Sequence, residues 1–121
     1  EVRFMPKLMD ALIDAAELLD WSVHISDDDI EFEKYSPAGE DFFFTITGND
    51  EARVVEQVRG YAYDFDPDEH AEMWVEIRGK RGVPDSIRTL IDDADAIKEM
   101  VFELAAELRK AEEEYQKEVA G

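Results

Sequence analysis

The 121-residue sequence contains no cysteine, and this absence excludes several kinds of chemistry at once. Without thiols the chain has no disulfide, no cysteine nucleophile and no Cys-based zinc site. It also has no apolar run approaching the ~18 residues of a membrane-spanning helix. The first residues carry neither the basic nor the apolar segment of a signal peptide. We therefore predict a cytoplasmic protein with no membrane partner.

Positive charge is also scarce. The chain has 13 Lys and Arg residues against 32 Asp and Glu, which gives a formal net charge of −19 at pH 7. Nucleic-acid binders use basic charge to displace phosphate counterions, so direct binding to DNA, RNA or an anionic membrane is not expected. The hydrophobic share of 45% is nevertheless too high for an acidic disordered tail. We expect one folded domain over residues 1–121, with residues 1–4 left from an expression vector and residues 109–121 forming a protruding helix end.

Apolar periodicity in the first half predicts a helix followed by a small sheet. Residues 7–20 have helical spacing. Residues 21–25, 30–33 and 42–47 follow as short segments of period two, separated by polar turns, which is typical of an antiparallel meander. The side chains expected on its inner face are Trp21, Val23, Ile25, Ile30, Phe32, Phe42, Phe44 and Ile46.

Three further helices are expected after the meander. Asn49 can cap a helix that runs to about residue 63, and residues 66–69 (Asp-Pro-Asp-Glu) are a strong helix-start signal. A loop over residues 78–84 then leads to a final helical region. Asp92 and Asp93 favour a break near its start, because Asp disfavours helix interiors. The predicted fold is α+β, in the order α-β-β-β-α-α-α, with helices on one face of a three-stranded antiparallel sheet.

The final helical region carries a heptad seam, in which apolar residues are separated by alternating steps of three and four. The seam consists of Leu90, Ala94, Ile97, Val101, Leu104, Leu108, Ala111 and Tyr115. Two interpretations remain open: the seam packs on the protein's own sheet, or its end pairs with a second copy or another partner. In the second case the helix interface would consist of Ile97, Val101, Leu104 and Leu108.

Catalytic and metal-binding motifs have little support. Asp64, Asp66 and Asp68 alternate as in the first half of a calcium loop, but Glu69 and Val75 occupy the positions that need Gly and Glu. The sequence has no nucleophile elbow and no phosphate-binding glycine loop. We therefore predict a protein that is not an enzyme and needs no metal or cofactor.

The two histidines are expected to be satisfied surface side chains and not metal ligands. His70 lies near acidic residues, but helix positions one or two apart do not share a face. His24 is expected on the polar side of the first strand, where a neighbouring carboxylate can pair with it.

The excess of carboxylates is the most informative feature of the sequence. Residues 10–51 contain thirteen carboxylates and a single cation, Lys34, and residues 64–76 contain six carboxylates and no Lys or Arg. Such self-repulsion opposes compaction, and a negative field that steers a basic protein partner would explain it. Solubility or adaptation to salt is the other explanation. The predicted charged face consists of Asp10, Asp14, Glu17, Asp20, Asp27, Asp28, Asp29, Glu31 and Glu33.

The segments 65–74, 78–84 and 92–108 resemble small acidic proteins of uncertain role encoded on mobile elements and prophages of Gram-positive gut bacteria. The resemblance covers roughly the second half of the chain and brings no catalytic motif. Such elements often carry acidic inhibitors of restriction or CRISPR nucleases. The resemblance thus implies a DNA-mimic-like inhibitor or modulator of a basic nucleic-acid-binding protein. The alternative is a structural or regulatory module, including a homodimer, that acts through the C-terminal helix.

Overall fold

The computed structural model describes residues 7–78 and 87–120. In chain order its elements are α1 (Leu8–Leu18), β1 (Ser22–Ile25), β2 (Asp29–Tyr35), β3 (Asp41–Thr47), a 3-10 turn (Glu51–Arg53), α2 (Val54–Asp64), α3 (Pro67–Arg78) and α4 (Ile87–Ala120). The predicted α+β class and the order α-β-β-β-α-α-α are confirmed. Residues 1–4 and the predicted loop, apart from the Arg78 that ends α3, lie outside the described residues.

The three strands form an antiparallel sheet in the order β1-β2-β3, so β2 is central and β3 is an edge strand. Phe32 lies opposite Val23 on one side and Phe44 on the other, which places these three residues on the same face. Ile25 shares that face but is 45% exposed, because it lies at the end of an edge strand. The predicted inner-face residues that are buried are Trp21, Ile30, Phe32, Phe42, Phe44 and Ile46.

Helices α1 and α2 pack directly against the inner face of the sheet. α1 contacts β1, α2 contacts β3, and α1, α2 and α3 each contact α4. Buried side chains of the sheet, α1, α2 and α4 form one hydrophobic cluster, with Trp21 among the largest fully enclosed residues. Within the described ranges, no helix combines the length and the apolar character needed to cross a bilayer.

Helix α4 is continuous over 34 residues and is therefore about 51 Å long. The predicted break at Asp92 and Asp93 is wrong. Asp93 is buried, and its carboxylate accepts hydrogen bonds from Ser36 and Ala38, outside the helix. An aspartate engaged in this way does not compete for the backbone groups of its own helix.

The heptad seam lies inside the protein's own core. Its four central residues are 0% exposed and belong to the same cluster as the sheet. Ala111 and Tyr115 are partly buried against that cluster, and residues 116–120 are exposed. Of the two interpretations left open by the sequence, the structure therefore supports packing within the chain, because the side chains of the alternative helix interface already fill the core: Ile97, Val101, Leu104 and Leu108.

Candidate functional site

The nine carboxylates predicted to form one charged face are divided among several parts of the structure. Those of α1 project from a helix that packs on the inner side of the sheet, whereas those of β2 alternate along its outer side. Two more lie in the turn between β1 and β2, and one follows α1. The single face is therefore not observed; the groups are Asp10, Asp14 and Glu17, then Asp20, then Asp27 and Asp28, then Asp29, Glu31 and Glu33.

Few of the negative charges are paired with cations. Among the side chains that the structure describes, the one ion pair between Lys or Arg and a carboxylate joins Arg109 Nε and Glu113 Oε1 at 3.3 Å on the exposed side of α4. The Lys34 ammonium lies over the Trp21 ring, 5.9 Å from its centroid. The Lys98 ammonium donates to backbone carbonyls at the end of α2. Most of the described carboxylates therefore have no Lys or Arg in direct contact among the side chains that the structure describes.

The outer face of the sheet brings two carboxyl groups together. Glu33 of β2 lies close to Asp41 at the start of β3, and His24 Nε2 lies 3.7 Å from Glu33 Oε1. The Asp41 carboxyl raises the pKa of Glu33, first by accepting a hydrogen bond from its protonated form and then through its negative charge, while His24 opposes the shift. The predicted pairing of His24 with a carboxylate is confirmed.

A pocket of about 490 Å³ opens where the start of β3 meets the end of α2 and the first turns of α3. We call it the acidic-aromatic pocket, because its described lining combines five carboxylates with four aromatic rings and contains no Lys or Arg. The lining residues are Glu40, Asp41, Phe42, Phe43, Tyr61, Asp64, Phe65, Asp66, Glu69, His70 and Met73.

One side of this pocket is formed by the turn between β2 and β3, which is hydrogen-bonded to Asp93 of α4. Asp93 Oδ2 accepts a hydrogen bond from Ser36 Oγ at 2.7 Å, and Asp93 Oδ1 accepts one from the Ala38 amide at 2.9 Å. Ser36 Oγ in turn accepts from the Glu40 amide at 2.9 Å. Gly39 has a φ of 95°, a conformation that residues with a side chain rarely adopt. This network fixes the chain immediately before Asp41.

A second contact joins the same turn to α3. His70 Nε2 lies 2.8 and 3.0 Å from the two carboxylate oxygens of the buried Glu40. The ring of His70 also packs between Phe42 and Phe65, at centroid distances of 5.6 and 5.2 Å. His70 is satisfied, as predicted, but it is half-buried and does not lie on the surface. The pair holds the first turns of α3 beside the start of β3.

The start of α3 follows the predicted pattern. Asp66 Oδ1 accepts hydrogen bonds from the amides of Asp68 and Glu69, at 3.0 and 3.4 Å, and Pro67 occupies the first helical position. Two of the pocket carboxylates, Asp66 and Glu69, therefore lie three positions apart at the start of this helix. The capping role assigned to Asp66 from the sequence is confirmed.

The aromatic walls differ in how much of each ring is open. Tyr61 stacks on Phe44 with centroids 4.3 Å apart, and burial, together with the charge of Glu40, raises its pKa to about 12. Phe65 is buried at the base of the pocket. Phe43 is 54% exposed and contacts no other aromatic ring among the described residues, and Met73 is also about half exposed. The mouth of the pocket therefore presents open apolar surface beside carboxylates.

Asp41 carries an unsatisfied acceptor in the pocket wall. Its Oδ1 atom is buried and accepts no hydrogen bond from any described group. Buried polar atoms in folded proteins almost always have a partner, and one without a partner is costly. This oxygen is enclosed by protein atoms, so it represents a cost within the fold and is not itself a contact point for a ligand from outside.

Comparison of the chain with protein-family models, with curated proteins and with solved structures gives no match. The described residues contain no group of three or more Asp, Glu or His side chains arranged to hold a metal ion. Ser36, a hydroxyl that could serve as a nucleophile, uses its oxygen to connect Asp93 with the Glu40 amide. The chemistry of the site therefore follows from its geometry, which combines negative charge with open aromatic surface.

Proposed function

We propose that this protein is a cytoplasmic acidic binding domain, without catalytic activity, whose partner is a basic protein. The observation that carries the proposal is the uncompensated charge. A net charge of −19 is accompanied by one direct Lys or Arg ion pair among the described side chains, Arg109 to Glu113. A surface of one sign raises the rate of encounter with a partner of the opposite sign and disfavours association with acidic molecules.

The more specific form of the proposal is a DNA-mimic-like inhibitor or modulator of a nucleic-acid-binding protein. A DNA duplex presents about one negative charge per 1.7 Å of its axis, and the channel of a protein that binds the duplex is correspondingly basic. The carboxylates of α1 lie on a helix that packs on α4 and β1, whereas those of β2 lie on the outer face of the sheet. A basic cleft that encloses its ligand could contact both groups at once, whereas a flat basic surface could contact only one.

The test is competition with DNA. A fluorescent DNA duplex is bound to each of a panel of restriction and CRISPR nucleases, and the acidic protein is added at about 50 and 200 mM salt. We expect it to displace the duplex from at least one nuclease, with weaker displacement at the higher salt because ionic screening increases. Failure to displace DNA from any of them at low salt would overturn the specific proposal.

Two triple variants of equal charge separate a located surface from net charge alone. The first neutralises the turn and the outer sheet face through Asp27→Asn, Asp28→Asn and Glu31→Gln. The matched control neutralises three exposed positions of α4, Glu103→Gln, Glu114→Gln and Glu118→Gln. We expect only the first to weaken displacement strongly. Equal effects of the two triples would contradict recognition by the predicted carboxylates.

A further inference from the structure

The acidic-aromatic pocket has the size and lining of a ligand site. Its volume of about 490 Å³ falls within the range of roughly 300–1,000 Å³ that is usual for such sites. Its walls combine aromatic and thioether surface with carboxylates, and no cation is among the described lining residues. An anionic ligand would be repelled here, and a purely apolar one would leave the carboxylates facing it without hydration. The lining therefore favours an organic cation with an apolar stem.

The arrangement of Asp41 and Phe43 favours a guanidinium over an ammonium. The two residues lie two positions apart on the outer side of β3, so their side chains leave the strand in the same direction. Asp41 is a carboxylate of the described pocket lining, which contains no Lys or Arg, and Phe43 has an open ring. A guanidinium is planar, stacks on aromatic rings and donates two parallel hydrogen bonds to one carboxylate, whereas an ammonium is a compact and strongly hydrated charge.

The neighbourhood of Asp41 contains a charge conflict that such a cation would relieve. Glu33 approaches Asp41 across the β2–β3 pair, and the pKa of Glu33 is raised by that carboxyl. On the other side, Glu40 is already hydrogen-bonded to His70 Nε2. Of these two neighbouring carboxylates, Glu40 has a partner in His70, whereas Asp41 has no positively charged partner among the described groups and lies beside a second carboxyl.

We propose that the acidic-aromatic pocket receives an arginine side chain of the basic partner, with Asp41 binding the guanidinium and Phe43 stacking on it. This inference rests on the proposed function and adds an anchor point to it. The outer carboxylates would set the rate of encounter, and the pocket would select one arginine in the bound complex.

The direct test uses a single amino acid as the probe. N-acetyl-arginine amide is titrated into the full chain and followed by amide chemical shifts, with N-acetyl-citrulline amide as a control of nearly equal shape and no charge. We expect shifts to concentrate at Asp41, Phe43 and His70, with affinity at least about tenfold higher for arginine, because a charge-assisted bidentate pair is lost in citrulline. Equal affinity for the two probes would overturn the proposal.

Variants locate the binding within the pocket. Asp41→Asn and Phe43→Ala should each weaken arginine binding by about five- to tenfold, as expected for loss of a carboxylate partner or of a stacked ring. Asp27→Asn is the matched control, since it removes the same charge from an exposed turn, and it should change affinity less than about twofold. Thermal unfolding of each variant establishes that it is folded. Equal effects of Asp41→Asn and Asp27→Asn would contradict the pocket.

The same variants separate this inference from the proposed function. If Asp41→Asn and Phe43→Ala still displace DNA from a nuclease as well as the unaltered chain does, the pocket is not the anchor and only the inference fails. If the arginine probe binds the pocket but the chain displaces DNA from no nuclease, the pocket is supported and the DNA-mimic function fails. Lysine offered as N-acetyl-lysine amide should bind more weakly than arginine; the reverse order would contradict the assignment of a guanidinium.

Discussion

Replacing Asp93 by alanine should destabilise the protein far more than replacing its neighbour Asp92. The Asp93 carboxylate is buried in α4 and accepts hydrogen bonds from Ser36 Oγ at 2.7 Å and from the Ala38 amide at 2.9 Å. Asp93→Ala would leave both donors without their acceptor in a buried site. Asp92 is exposed on the same helix, so Asp92→Ala has the same change of charge and of helix propensity without the lost contacts.

The magnitude follows from these two contacts. A hydrogen bond to a charged group contributes about 1.5–3 kcal/mol. Two effects offset part of this loss. The variant no longer has the cost of desolvating a buried charge, and alanine is favoured over aspartate in a helix by about 0.5 kcal/mol. We therefore expect Asp93→Ala to lower the free energy of unfolding by about 2–5 kcal/mol. Asp93→Asn, which retains one acceptor oxygen, should lower it by about 1–3 kcal/mol, and Asp92→Ala should stay within about 0.5 kcal/mol.

Urea denaturation followed by circular dichroism gives these free energies by linear extrapolation. The amide proton of Ala38 provides a second, local readout, since its chemical shift should move upfield when its acceptor is removed. If Asp93→Ala and Asp92→Ala reduce stability equally, or if the Ala38 amide does not respond, the network between the turn and α4 does not carry the energy assigned to it.

Three further outcomes are expected. Leu104→Ala should lower the free energy of unfolding by about 2–5 kcal/mol, because it opens a cavity in the core. Leu18→Ala, at a side chain that is 78% exposed, should lower it by less than about 0.5 kcal/mol. Similar values for the two variants in urea denaturation would contradict the packing described. Lys98→Met should cost about 1–3 kcal/mol in the same assay, because its ammonium donates to the carbonyls that end α2, and an unchanged stability would show these bonds to be unimportant. Asp41→Asn should lower the pKa of Glu33 in a carbon-detected NMR titration. Because the pKa of Glu33 is raised in the folded chain, its contribution to stability is fully present below the unfolded-state pKa and is lost as pH rises through the folded-state pKa. The Asp41→Asn variant should therefore lose less stability over that pH interval than the unaltered chain does.

The architecture could be predicted from the sequence because its signals are local. Period-two alternation located the strands, and the sequence at residues 66–69 located the start of α3. The heptad seam was correctly recognised as apolar, but periodicity does not state whether such a face packs within one chain or between two. Only the burial of Leu104 and its neighbours in the sheet's own cluster decides between them.

The candidate site could be predicted less completely from the sequence, because it depends on contacts between residues that are far apart in the chain. The propensity of Asp93 predicted a helix break, yet its carboxylate is used by Ser36, 57 positions earlier. Glu40 and His70 are 30 positions apart, and nothing in the pattern of either segment indicates the pair. The acidic run over residues 64–76 was visible as charge. That this run meets Asp41 beside aromatic side chains could be seen only once the positions of α3 and of the turn between β2 and β3 were known.

The central position of α4 has a consequence for how the protein is made. α1, α2 and α3 all pack against α4, which is the last of the described elements to leave the ribosome. Until residues 97–108 emerge, the sheet, α1 and α2 can cover one another only in part, because the α4 side chains that complete their common cluster are missing. We expect the nascent chain to remain a client of holding chaperones throughout most of its synthesis and to acquire its native structure in one late, cooperative step, when the final helix becomes available.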